Sequence, residues 1–386
     1  MSDYDLLLKN GHVIDAKNGI DGRNDVAVKD GKIAVVGLDL AGTADTSVDV
    51  SGQYVSPGLL DIHLHVYGGF NAWVFPDPHC LPQGVTTCMD TGGAGYLYFE
   101  DFKTTIIEPS ITRVLALVNI VGAGMIGKPE QNTEDMDPKR CADMLKRYPE
   151  HIVGAKSAHF GGPGWESAGG AIEAARLSDT LVMIDFSPRA TRTYEEMLGR
   201  FSPGDIHTHC YSTRTPLLNP EGQINDYVWQ ARQRGVYFDL GHGNQSFFFP
   251  IATAAMEQGF LPDSISTDLH RRSRMLPNAM MTVVMSKMLA LGMSVAEVIH
   301  RSTWRPAQVI QRPELGHLSV GAEADIAVLS IEEGSYGFVD ARRTRMEARR
   351  KFECRMTVRA GEIVWDVDGQ SMPHWSDVPL EPKSYD

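Results

Sequence analysis

The alternation of apolar and polar positions changes twice along the chain. In the first fifty-odd residues, LLLKNGHVID, DVAVKDGKIAVVG and DVSGQYVSPG alternate apolar and polar residues around Asn-Gly, Asp-Gly and Gly-Lys turns. That is the period of strands with one buried face. The same texture returns near the other end in DIAVLSIEEG and RMTVRAGEIVWDVDG. Between them the apolar residues come in eight short runs: LLDIHLHV (59–66), VTTCMD (85–90), VLALVNIV (114–121), IVGAKSAH (152–159), LVMIDF (181–186), DIHTHCY (205–211), VYFDLGHG (236–243) and SISTDLH (264–270). Helical patterns such as PKRCADMLKRYPE, GAIEAARLSD, YEEMLGRF, VWQARQRG, IATAAMEQG and VVMSKMLALGMS separate them. Strands that are apolar along their length are buried on both faces, as in parallel sheets covered by helices. Eight such units over about 250 residues predict an α/β fold, a (β/α)8 TIM barrel over 58–313. The two strand-rich ends, 1–57 and 314–370, predict one small β-sandwich domain formed by both termini. Residues 371–386, rich in Pro, Asp and Ser, predict a surface tail. The competing open sheet needs a Gly-rich phosphate loop after an early strand, and GGAGYLYF lacks the GxGxxG order.

Composition narrows the function classes. The 386 residues carry 36 Lys plus Arg against 49 Asp plus Glu, a formal charge of −13 with no basic stripe, which argues against a nucleic-acid partner. The cysteines (Cys80, Cys88, Cys141, Cys210, Cys354) are five, an odd number, and never spaced CxxC. This suits a reducing, cytoplasmic setting rather than a disulfide framework. MSDYDLLLKNGHVID has no charged region leading an apolar core, so no signal peptide is expected. The longest apolar run, Val114 to Gly127, is broken by Asn119 and glycines and is too short to span a bilayer, so no membrane partner is expected.

Polar residues with ligand chemistry sit at the ends of the apolar runs, where barrel enzymes keep their active sites. His63 and His65, two apart on a strand, share a face. Lys156, Asp185, His209, His242 and Asp268 close the fourth to eighth runs. Any one of them could be a satisfied buried polar group; their convergence at corresponding positions points to a metal site. A water bound to such a metal loses its proton near neutral pH, and Asp268 at the mouth could accept that proton. A lysine among cation ligands makes sense if its amine is carboxylated to a bridging carbamate. The alternatives are a salt bridge or a binder of substrate carboxylate. His207 is two residues before His209 and predicts a hydrogen-bonded core histidine one layer deeper.

PGLLDIHLHV, VGAKSAH, DIHTHC, DLGHG and SISTDLH together resemble the amidohydrolase superfamily, in its amidohydrolase/deacetylase branch of metal-dependent hydrolases. The resemblance covers nearly the whole chain, including the split β domain and GHLSVGAEADIAVL. It implies that His63 and His65 hold the more buried metal, that Lys156 is the carboxylated bridge, and that His209 holds a second metal. It also implies that Asp268 is a metal ligand and the catalytic acid/base, with His242 and His270 as catalytic residues lining the pocket.

One position departs from that pattern. The fifth strand of the superfamily usually ends in a ligand histidine, and here the matching residue is Asp185, whose oxygens lie nearer the backbone. His159, three residues after Lys156, is the candidate to complete the site. The cofactor expected is one or two divalent ions, zinc first, with manganese favoured by the extra oxygen ligand. Arg271 and Arg272 follow the last run and suit a substrate carboxylate, with solvated surface arginines as the alternative. Tyr211, Trp165 and GGFNAWVFPD (68–77) could wall the pocket. The function implied is hydrolysis of an amide or ester of a small, carboxylate-bearing substrate by metal-activated water, as in a deacetylase. The alternatives are a cyclic amidase or lactonase of dihydroorotase or hydantoinase type, and a barrel that binds a metal or metabolite without turnover. The expected partners are a small-molecule substrate and further copies of the chain in a homo-oligomer.

Overall fold

The computed structural model describes residues 2–68, 74–126 and 129–380 and has a mixed α/β fold with two sheets. The first five strands are β1 (Tyr4–Asp15), β2 (Ile20–Lys29), β3 (Lys32–Gly37), β4 (Ala44–Asp49) and β5 (Tyr54–Pro57). Seven parallel strands follow: β6 (Leu59–Leu64), β7 (Val85–Gly95), β8 (Arg113–Asn119), β9 (Ile152–Ser157), β10 (Leu181–Ile184), β11 (Ile206–His207) and β12 (Tyr237–Phe238). The chain then returns to the first sheet with β13 (Ile326–Val339), β14 (Arg345–Arg359) and β15 (Glu362–Asp366).

The parallel strands lie side by side in sequence order. Their runs are apolar throughout because both faces are buried. Leu60, Ile62, Met89, Leu115, Leu117, Val153, Leu181, Met183 and Ile206 form one cluster with Ala307, Val309, Ile310 and Leu315. Alternate residues such as Leu59, Leu64, Cys88, Val114, Val118 and Val182 pack with the helices instead. Those helices, among them Pro138–Arg147, Glu166–Ser178, Tyr194–Arg200, Asp226–Gln233, Phe249–Glu257 and Met281–Ala290, fall on the predicted segments.

The eighth run forms no ladder of its own but reaches both edges of the sheet. Ser264 bridges Asp239 beyond β12, and Leu269 bridges Leu64 of β6, both in parallel sense. On one side His242 and Gly243 donate N–H bonds to Ser266 and Thr267; on the other Asp268 donates to His63 and His65 to Leu269. Side chains replace regular pairing here: Thr267 donates its N–H and hydroxyl to the buried Asp61 carboxylate.

The two chain ends share one sheet, in the order β15-β14-β13-β5-β1-β2-β3, with β4 also on β1. They also share one core, in which Leu6, Leu8, Val26, Val28 and Val55 meet Ile326, Val328, Met356 and Val358. A detail differs from expectation. Asn10-Gly11 is a bulge inside β1 and not a hairpin turn: Asn10 has φ 64°, and the register against β2 shifts between Leu8 and Gly11. Asp30-Gly31, both at positive φ, does make the turn from β2 to β3. Among the described residues no helix is long and apolar enough to cross a membrane.

Candidate metal centre and active site

The C-terminal ends of the parallel strands bring His63, His65 and Asp268 together. One ligand atom from each lies within 4.8 Å of the others. The two imidazoles are edge to face with centroids 5.8 Å apart, and Asp268 Oδ1 is 3.1 Å from His65 Nε2 and 3.8 Å from His63 Nε2. Burial alone would raise Asp268, but the hydrogen bond to His65 and the neighbouring histidines outweigh it and hold the carboxyl well below its ordinary range. Burial, helped by nearby Lys156, pushes His63 down to about 3, so its ring is neutral. His63 Nδ1 donates to Thr208 Oγ1 at 2.7 Å and to the buried Asp239 carboxylate at 3.1 Å, leaving the Nε2 lone pair toward Asp268. Asp239 also accepts from Thr208, Ser264 and Ser266 at 2.7, 2.5 and 2.6 Å.

Two imidazoles and an ionised carboxylate are a fitting donor set for a divalent ion. The Lys156 amine adds to it. Nζ is buried, has no hydrogen-bond partner among the described residues, and is pushed below its usual range by burial. Gly241 and Gly243, at φ 48° and 53°, let the backbone after β12 pass against these groups. A Cβ on Gly243 would stand 2.3 Å from Asp268 Oδ2, and one on Gly241 would stand 2.7 Å from His209 Nδ1.

A second group lies alongside. His209 donates from Nδ1 to the Gly241 carbonyl at 2.6 Å, and its ring centroid is 5.0 Å from that of His63. Its Nε2 is 3.5 Å from Asp185 Oδ2. His159 bridges two carboxylates, with Nδ1 2.9 Å from Glu130 and Nε2 3.3 Å from Asp185. Burial would lower it, but those carboxylates win and raise it to about 9, so it is protonated at neutral pH. Arg214, which the sequence reading passed over, places Nη1 at 3.1 and 3.2 Å from the two Asp185 oxygens and Nη2 at 2.7 Å from Ser246 Oγ.

A cavity of about 350 Å³ opens over both groups, lined by His65, His159, Arg214, Asn244, Gln245, Ser246, Asp268, His270, Arg271 and Arg272. His270 Nδ1 accepts the N–H of Arg272 at 3.2 Å, so the neutral ring carries its proton on Nε2. The structure corrects four expectations. Tyr211 is wholly buried and donates to the Phe260 carbonyl at 2.6 Å, away from the cavity lining. His242 is likewise buried and off the lining: Nδ1 donates to Gly243 O, Nε2 accepts from Lys287 Nζ at 2.9 Å, and the ring stacks on Phe247. Trp165 stacks on Phe186 and under Arg200 instead of walling the cavity. His207 is a buried core residue as expected, but it does not share a face with His209: it turns to the helix side, against Tyr194 and Phe238, and the φ of 60° at His209 breaks the alternation. Of GGFNAWVFPD, residues 69–73 lie outside the described residues. The Cys210 thiol is buried and pushed well above its ordinary range.

Lys287 carries a pH prediction. Burial lowers it from 10.5 to about 7. Between those values the unfolded chain holds a proton that the native one has released, so stability rises with pH across that window. Lys287→Met is expected to flatten the rise, as read from urea midpoints between pH 7 and pH 10. An unchanged slope would mean that the lysine stays charged when buried.

Comparison with known proteins agrees with this geometry. A family model described as "Amidohydrolase family" matches residues 252–365. The chain belongs to that family, whose members are divalent-metal hydrolases acting on C–N bonds. It is 33% identical over 361 residues to a deacetylase of Brucella anthropi, covering 89% of this chain and 88% of that one. To a deacetylase of Agrobacterium fabrum it is 33% identical, covering 87% of this chain and 85% of the relative. Among solved structures, an adenine deaminase superposes with a TM-score of 0.87 at 28% identity, covering 94% of this chain and all of the other (100%). A dihydroorotase superposes with a TM-score of 0.85 at 31% identity, covering 94% and 99%.

Proposed function

We propose that the protein is a metal-dependent deacetylase that hydrolyses an amide or ester bond of a small acylated acid. The observation that carries this is the His63–His65–Asp268 cluster at the base of a cavity whose rim bears Arg271 and Arg272. Deacetylases at 33% identity support the same reading. The architecture we infer is a (β/α)8 barrel over 58–313, with 264–270 as its eighth strand, and a β-sandwich domain from 1–57 and 314–370. The five buried, unpaired cysteines fit a cytoplasmic setting.

A divalent ion, zinc by preference, would be held by His63, His65, Asp268 and a carboxylated Lys156; it would acidify a water and polarise the scissile carbonyl. Asp268, ionised and at the cavity base, takes the proton of the attacking water and returns it to the leaving nitrogen or oxygen. The Nε2–H of His270 is the donor for the developing oxyanion. Arg271 and Arg272 hold the substrate carboxylate. Cyclic amide hydrolysis is the second reading, favoured by the similarity to a dihydroorotase at 31% identity.

The test is hydrolysis of a panel of N-acetyl amino acids, acetylated hydroxy acids, lactones and cyclic amides, before and after chelation and zinc return. Activity on acylated acids that chelation removes and zinc restores is expected. Turnover confined to rings would select the second reading, and zinc binding without any turnover would sink both. Intact mass should show the gain of one CO2 at Lys156, lost on acidification.

A further inference from the structure

We propose that the centre is built for one divalent ion, and that Arg214, clamped between Asp185 and Ser246, takes the place of a second. This rests on the metal-dependent reading above. Asp185 stands at the end of β10, where its carboxylate is almost wholly enclosed (4% exposed). An enclosed carboxylate needs positive charge beside it, and Arg214 supplies this with one nitrogen on both oxygens. The second guanidinium nitrogen is fixed on Ser246, so the fork is held from two sides.

The surroundings of Asp185 are already cationic without a metal. His159 lies against it and against Glu130, and His209 approaches from the other side. Two carboxylates thus face one permanent cation and two imidazoles. A second divalent ion held by Asp185 and His209 would leave an excess of positive charge around this enclosed carboxylate. Histidines could relieve it by losing protons, but a guanidinium cannot. The first cluster differs: His63, His65 and Asp268 each turn one ligand atom to a common point within 4.8 Å of one another. Arg214 also lines the cavity with Ser246, so its remaining N–H groups are available to an anionic part of the substrate.

The experiment counts zinc. The full chain is loaded with zinc, desalted and assayed for metal per polypeptide, alongside Arg214→Gln and Asp185→Asn. One zinc is expected in the wild type, a rise toward two in Arg214→Gln, and one retained in Asp185→Asn. Two zinc ions in the wild type would overturn the inference, as would loss of zinc in Asp185→Asn. A count of one in both wild type and Arg214→Gln would overturn the part given to the arginine's charge. If Arg214→Gln fails to fold, the wild type and Asp185→Asn still decide. Zero zinc in the wild type is distinguishable from these results, because it removes the metal-dependent reading itself.

Discussion

Asp268→Asn is expected to lower kcat/KM by about 10²–10⁴-fold, the range for removing a general acid/base, while the protein stays folded. Asn keeps the shape of the side chain and tolerates the left-handed backbone at φ 45°, which Ala would strain. The backbone bonds of the residue, N–H to His63 O and carbonyl from Ser273 Oγ, do not depend on the carboxylate. What disappears is the negative charge 3.1 Å from His65 Nε2, which is both a metal donor and the proton carrier. Steady-state kinetics at saturating zinc, with thermal denaturation as a control, separates the two losses. An Asn variant retaining more than a tenth of wild-type kcat/KM would assign the proton to another group.

How far the sequence leads to this site depends on where the backbone stops being regular. The seven parallel strands were readable because burial on both faces leaves few polar positions inside them. His63 and His65 were readable for a related reason: near a strand end, alternation still holds and puts both rings on one side. Beyond the strand ends it fails. His159, His209 and Asp268 all adopt positive φ, at 53°, 60° and 45°, and none is a glycine or marks a turn in the sequence. Alternation fails across such a position, which explains why His207, before His209, and Tyr211, after it, do not share its face. His242 was drawn to the cavity on paper, but Gly241 and Gly243 carry the backbone past Asp268 while the ring turns back to Lys287. Arg214 lies in a loop, YSTRTPLL, without period or motif, and only its contact with Asp185 distinguishes it from a surface arginine. Positive φ at non-glycine residues clustered around one cavity is the kind of backbone strain that functional sites hold in place through their surroundings.

That holding can be tested at Asp239, which touches neither the cavity nor the proposed metal. Its carboxylate lies at the centre of three segments: His63 from β6, Thr208 after β11, and Ser264 with Ser266 from the eighth run. Burial works against its charge, yet the bonds from His63 and the serines keep it ionised. Asp239→Ala would leave three hydroxyls buried without their acceptor and the His63 imidazole N–H with Thr208 Oγ1 alone, a loss of about 3–5 kcal/mol in unfolding free energy. Asp239→Asn should cost less, because one oxygen can still accept, but its NH2 then faces donors. His63 is thereby released to place its proton on Nε2, on the side that must present a lone pair. Zinc affinity is expected to fall about 10–100-fold in Asp239→Asn, the usual scale for losing a partner of a ligand histidine. Competition titration with a chromophoric chelator measures it. If the Asn variant binds zinc as tightly as the wild type, His63 is oriented by its packing alone. A weakened variant would instead show that the ligand geometry is set from the buried layer behind it.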